Sequence, residues 1–64
     1  MTYEEPARFS GVVMIEAHQT WFLDVDGDEV WLSKKLIDWI DEPRKGHEAE
    51  FEIPTWYAEK KELI

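Results

Sequence analysis

Thr20-Trp21-Phe22-Leu23-Asp24-Val25-Asp26-Gly27-Asp28-Glu29-Val30-Trp31-Leu32 is the stretch that decides the fold. Asp26-Gly27 stands between two apolar-rich runs. A two-residue type I′ turn needs positive φ at both central residues, which Gly adopts freely and Asp tolerates. Such a turn fixes the hairpin register. Val25 faces Asp28, Asp24 faces Glu29, Leu23 faces Val30, Phe22 faces Trp31 and Trp21 faces Leu32. Trp21, Leu23, Val25, Val30 and Leu32 then share one face. Phe22 and Trp31 pair on the other, where a cross-strand aromatic pair contributes roughly 0.2–1 kcal/mol. With large apolar groups on both faces, the hairpin is expected to be covered on both sides or to offer one side to a partner. Asp24 and Glu29 are directly opposed like charges, which is unfavourable. That tolerated repulsion reads as acidity kept for a purpose.

Working outward, residues 1–7 read as a loose arm that runs through Pro6. Phe9 to Ala17 reads as a strand in which Val12, Val13, Met14 and Ile15 form an apolar core run. Thr20 to Val25 and Asp28 to Leu32 are the hairpin strands. Ser33 to Glu42 reads as one helical turn, capped by Ser33, followed by an extended segment. Pro43 to His47 is a basic loop. Glu48 to Ile53 alternates cleanly, with Ala49, Phe51 and Ile53 to one side and Glu48, Glu50 and Glu52 to the other. Pro54 suits the first position of a helix. Thr55 to Leu63 reads as that helix, with Trp56, Lys60 and Leu63 along one side. The expected fold is mainly β with a short C-terminal helix (α+β). It would be a small SH3-like or OB-like barrel, or a curled antiparallel sheet with the helix packed on it.

Composition bounds the function. The chain has 64 residues, 15 acids against 7 bases, a net charge of -8, nine aromatic residues and no cysteine. One domain, 1–64, is all that this length holds. A disulfide scaffold and a Cys-ligated zinc site are excluded. Nine aromatics argue against intrinsic disorder. No run of about 18 apolar residues offers a membrane span, and the acidic N-terminus does not read as a signal peptide. A cytoplasmic protein is expected. Residues 1–29 carry seven acids and one base, 30–47 three acids and four bases, and 48–64 five acids and two bases. A field of this sign repels phosphates and anionic lipid and attracts basic surfaces, including those with which proteins grip nucleic acid.

Asp24, Asp26 and Asp28 sit at alternate positions, as in a calcium loop. The EF-hand pattern started at Asp24 would need Gly at position six and Glu at position twelve, which here are Glu29 and Lys35. The match fails, so an acidic hairpin tip is the reading. His18 and His47 are isolated, and no motif supports a metal or another cofactor. Hydroxyls at Ser10, Ser33, Thr2, Thr20 and Thr55 have no base placed beside them by the sequence. So short a chain also has little concave volume for a substrate, and no enzyme is expected. Glu48, Glu50 and Glu52 form a straight anionic row about 6.7 Å apart per step on one strand face. Trp21, Trp31, Trp39 and Trp56 serve mostly as core. Any left exposed, with Trp31 and Trp56 the candidates, would anchor a partner.

Two segments carry a resemblance: Val30-Trp31-Leu32-Ser33-Lys34-Lys35, and Ile53-Pro54-Thr55-Trp56-Tyr57-Ala58-Glu59-Lys60-Lys61-Glu62-Leu63-Ile64. They are similar to small acidic proteins encoded by phages and prophages, in which a hairpin leads into a Trp-Leu/Ile-Pro-Lys-Ser stretch. Those chains end in Ile-Pro-x-Trp-Leu-Ala-x-Lys-Lys/Gly-Leu-Ile. This chain departs at Ser33, where Pro is usual, at Tyr57, where Leu is usual, and at Glu62, where Gly is among the residues found. The resemblance implies a mobile-element origin and no assigned activity. By size and charge alone, the chain is also similar in kind to anti-CRISPR and other anti-defence proteins, several of which mimic DNA.

The expectation is a non-enzymatic inhibitor that occupies the nucleic-acid-binding surface of a host defence complex such as a CRISPR effector. Its partner-binding residues would be Asp24, Asp26, Asp28, Glu29, Glu48, Glu50 and Glu52, with Trp31 and Trp56. It would bind a basic host protein, with no direct nucleic acid binding and no membrane, as a monomer or a homodimer. One alternative is a small interaction or assembly module, such as a homodimer. The other is single-strand binding through exposed aromatics.

Overall fold

The computed structural model describes residues 5–64. Five strands, β1 (Ala7–Glu16), β2 (Thr20–Val25), β3 (Asp28–Ser33), β4 (Asp38–Trp39) and β5 (Glu48–Ile53), precede one helix, α1 (Thr55–Lys60). They form a single antiparallel sheet in the order β3-β2-β1-β5-β4. Both ends of that order are free edges, so the sheet is curled and is not a closed barrel. The curl brings Trp21 of β2 edge-to-face against Trp39 of β4, with ring centroids 5.3 Å apart. Of the arm expected over 1–7, residues 1–4 lie outside the described residues. The Glu5 carbonyl accepts a 2.7 Å hydrogen bond from Thr55 Oγ1, and Ala7 already pairs with Ile53.

The hairpin has the register the turn dictates, from Val25↔Asp28 through Trp21↔Leu32 and on to Thr20↔Ser33. Asp26 and Gly27 both have positive φ, 52° and 87°. The concave face carries the core: Val13, Leu23, Val25, Val30, Leu32, Ala49, Phe51 and Ile53, closed over by Tyr57 and Ala58 of α1. Gly11 is required at its place in β1. A Cβ there would sit 3.0 Å from Val25 Cγ2 and 3.1 Å from the Asp24 carbonyl.

β1 departs from simple alternation. Val13 faces Leu23 but Ile15 faces Phe22, so Met14 is the extra residue of a β-bulge. The bulge reverses the side to which the following residues point. Of the expected core run, only Val13 is buried; Val12 is half-buried, and Met14 and Ile15 are exposed. The loop before β5 lies against this irregularity. The Gly46 amide donates to the Val13 carbonyl at 2.7 Å, and the Val13 amide donates to the His47 carbonyl at 3.2 Å.

Between β3 and β4 the chain makes one turn. Leu36 and Ile37 amides donate to the Ser33 carbonyl, and the Lys35 amide donates to Ser33 Oγ. Helix α1 is too short to stand on its own propensity and holds through what it buries. Its inner side is Tyr57 and Ala58, with Leu63 beyond it, whereas Trp56 and Lys60 are exposed. The expected side of Trp56, Lys60 and Leu63 is therefore corrected. The helix docks through its third residue, where the Tyr57 hydroxyl accepts the Ser33 amide at 2.9 Å.

The helix ends in a Schellman arrangement. Leu63 N–H donates to the Ala58 carbonyl and Glu62 N–H to the Glu59 carbonyl, at 2.9 and 3.0 Å. Glu62 takes the left-handed position with φ 61°, a conformation that a residue with a Cβ resists. Glu62→Gly should therefore stabilise the fold by about 0.5–1 kcal/mol in urea unfolding, with an unchanged m-value.

Candidate functional site

The convex face of the sheet is built by the residues that alternate with the core. Pairing places them in rows across the strands. Trp31, Phe22 and Ile15 form one row over β3, β2 and β1. Glu29, Asp24, Val12 and Glu48 form the next, over β3, β2, β1 and β5. Ser10 and Glu50 follow, then Arg8, Glu52 and Asp38. Strands about 4.8 Å apart put Asp24 and Glu48 about 10 Å apart, either side of Val12. Glu48, Glu50 and Glu52 run at right angles to that row down β5.

Five of the seven expected acids thus share one face: Asp24, Glu29, Glu48, Glu50 and Glu52. Asp26 sits in the turn, and Asp28 pairs with Val25 and so has the parity of the core face, exposed at the sheet edge. Asp38 joins the acidic face and was not singled out in the sequence. Its strand is two residues long, too short to leave a periodic signal.

These carboxylates differ in how far they are already engaged. Glu52 accepts a 3.3 Å ion-pair hydrogen bond from Arg8, the only basic residue in any described strand. Asp24 Oδ1 accepts the Gly27 amide at 2.9 Å. Asp24 therefore tightens the turn, which gives a structural reason for an acid opposite Glu29. Glu29, Glu48 and Glu50 have no cationic partner among the described residues. The Glu50 main chain is held from the β4 side, its amide donating to Asp41 Oδ2 at 2.9 Å, which points the strand and its outward side chain. At about 6.7 Å in water, two such charges repel by about 0.6 kcal/mol, so the sheet carries the row at small cost.

The aromatic anchors separate. Trp31 lies on the acidic face, 45% exposed, and packs on Phe22 with centroids 4.6 Å apart. Ile15, 46% exposed, completes an apolar corner beside the acidic rows. Trp56 is 54% exposed but stands on α1, outside this face. Trp21 and Trp39 close the concave side, with Lys34 5.0 Å above the Trp21 ring. Ile15 is the residue of this corner that sequence reasoning missed. Phe22 was legible through its cross-strand pairing with Trp31; Ile15 reaches the face only because of the bulge.

Two open hollows indent the surface, the first reaching Asp38 and Glu52 of the acidic face. One, about 280 Å³, is lined by Pro6, Leu36, Asp38, Glu52, Ile53 and Pro54. The other, about 370 Å³, is lined by His18, Gln19, Thr20, Ser33, Lys34 and Lys35. In the second, no hydrogen bond among the described residues joins His18 to a hydroxyl, and Ser33 Oγ instead accepts the Lys35 amide. No described helix is long and apolar enough to cross a membrane. Comparison of the chain with protein-family models, with curated proteins and with solved structures found no match in any of the three.

The double role of Asp24 can be measured. Asp24→Asn keeps an acceptor for the Gly27 amide and removes the repulsion with Glu29, so its stability should match or exceed that of the parent. Asp24→Ala loses the acceptor and should cost about 1 kcal/mol in thermal or urea unfolding.

Proposed function

We propose that the protein is a phage- or mobile-element-encoded, non-enzymatic inhibitor whose convex sheet face occupies the nucleic-acid-binding surface of a basic host protein. A defence complex such as a CRISPR effector is the class of target. The observation that carries this reading is the gathering of Asp24, Glu29, Glu48, Glu50 and Glu52 on one face, with one base, Arg8, among them. An ordered anionic surface competes for the cations that would otherwise grip phosphates, and such attraction is long-ranged and screened by salt. The Ile15, Phe22 and Trp31 corner supplies what phosphates lack: a desolvating apolar anchor of the type that dominates protein interfaces. The resemblance to small phage proteins supplies the setting. The cytoplasm of the host is where such a target resides.

The same corner supports a second reading, an assembly module in which Ile15, Phe22 and Trp31 bury against a copy of the chain, the charge serving solubility. Salt separates the two. Apolar burial between copies resists salt, whereas an acidic face on a basic surface releases as salt rises.

Immobilised protein exposed to bacterial lysate should retain a nucleic-acid-binding protein that elutes at moderate salt and is displaced by excess duplex DNA. Glu48→Lys with Glu50→Lys should weaken that capture by about tenfold or more. Undiminished capture by the double variant overturns the proposal. A salt-resistant dimer in sedimentation, with no such capture, favours the assembly module.

A further inference from the structure

The hairpin register leaves main-chain groups unpaired along one edge of the sheet. The Lys34 amide donates to the Gln19 carbonyl at 2.9 Å, one step beyond the Thr20↔Ser33 pair. In an antiparallel ladder, bonded pairs alternate with non-bonded pairs. Asp28, Val30, Leu32 and Lys34 therefore turn their amides and carbonyls towards β2. Glu29, Trp31 and Ser33 turn theirs away from the sheet. Ser33 is already satisfied: its amide donates to the Tyr57 hydroxyl, and its carbonyl accepts from Leu36 and Ile37. Among the described residues, nothing bonds the outward groups of Glu29 and Trp31. Together they present two donors and two acceptors at the spacing that an added antiparallel strand matches. The opposite edge, β4, is only two residues long.

The surroundings set the sign of the occupant. Asp26, Asp28 and Glu29 stand at the open stretch, and neither β2 nor β3 contains a base. A second copy would bring a net charge of -8 against the same charge. A cationic strand is drawn in instead. Trp31, exposed on the convex side and stacked on Phe22, offers it an apolar contact. We infer that the β3 edge takes up an extended basic segment of the partner protein as an added strand. On the convex side, the segment places Lys or Arg opposite Glu29, and an apolar or Arg side chain opposite Trp31, two residues away. Main-chain bonds supply affinity and the alternate side chains supply choice. This inference rests on the acidic face being a seat for a basic protein and states how that protein is engaged.

The test uses the free protein and two peptides of one Lys-Thr-Val-Thr repeat, which sets Lys and Val two residues apart on one side, the second N-methylated at every residue so that neither of its edges can donate to a ladder. The unmodified peptide should bind about tenfold or more tighter, and should slow amide exchange at Glu29 and Trp31. Glu29→Pro removes an amide that points away from the sheet, a place where an edge strand accepts Pro. It should abolish the difference between the peptides, while Glu29→Gln retains it. Unchanged amide spectra for β1 and β5 show that the proline variant is folded. If both peptides bind alike and both are weakened by Glu48→Lys with Glu50→Lys, strand addition is overturned while the acidic-face reading stands. If binding is alike and indifferent to that double variant, or absent, both fall. Sedimentation as a dimer with Glu29 and Trp31 amides protected in the absence of peptide overturns the inference in favour of a second copy.

Discussion

The bulge at Met14 is the constraint on which the rest of the molecule depends. β1 is the central strand, paired on one side with β2 and on the other with β5. Strict alternation from Val13 would send Ile15 to the concave side. One extra residue sends it to the convex side, in line with Phe22 and Trp31. A bulge also sharpens local twist, and the sheet curls far enough for Trp21 and Trp39 to meet over the core. The loop carrying Lys45, Gly46 and His47 takes up the Val13 main-chain groups beside the bulge, so the irregularity leaves them paired.

A small curled sheet with one helix has only one dry side. Val13, Leu23, Val25, Val30, Leu32, Phe51 and Ile53 fill it, and α1 adds Tyr57 and Ala58. The convex side is left to water, and this chain fills it with carboxylates. Asp24, Glu29, Glu48, Glu50 and Glu52 all hold positions that alternation alone assigns outward; they need no burial and meet only screened repulsion. What distinguishes the face from an ordinary solvated one is the scarcity of cations: Arg8 is the single base in the described strands, and it is already paired with Glu52. Most of the others lie in the turn after β3, the loop before β5 and the helix, away from the rows of acids.

Much of this was legible from local chemistry. Asp26-Gly27 fixed one hairpin residue by residue, because a two-residue turn leaves no freedom of register. The alternation of Glu48 to Ile53 gave β5 its two faces for the same reason. Two features were not legible. Four consecutive apolar residues, Val12 to Ile15, carry no period, so nothing in them marks Met14 as the inserted one. The helix spacing grouped Trp56 and Lys60 with Leu63, whereas the docked side is the one from which the Tyr57 hydroxyl reaches the Ser33 amide, a partner 24 residues away. The convergence of β2, β3 and β5 acids on one face likewise depended on β5 crossing to pair with β1, which no local pattern encodes.

The central claim is that the convex face is the docking surface, and carboxylate footprinting of the captured complex tests it most directly. The complex and the free protein would be labelled with a carbodiimide and an amine, and each carboxyl scored by mass spectrometry. The account predicts protection at Asp24, Glu29, Glu48 and Glu50, with Glu42, Glu59 and Glu62 as reactive as in the free protein. Protection at Glu59 and Glu62 with the convex carboxylates left reactive would contradict it and move the docking surface to the helix that carries Trp56.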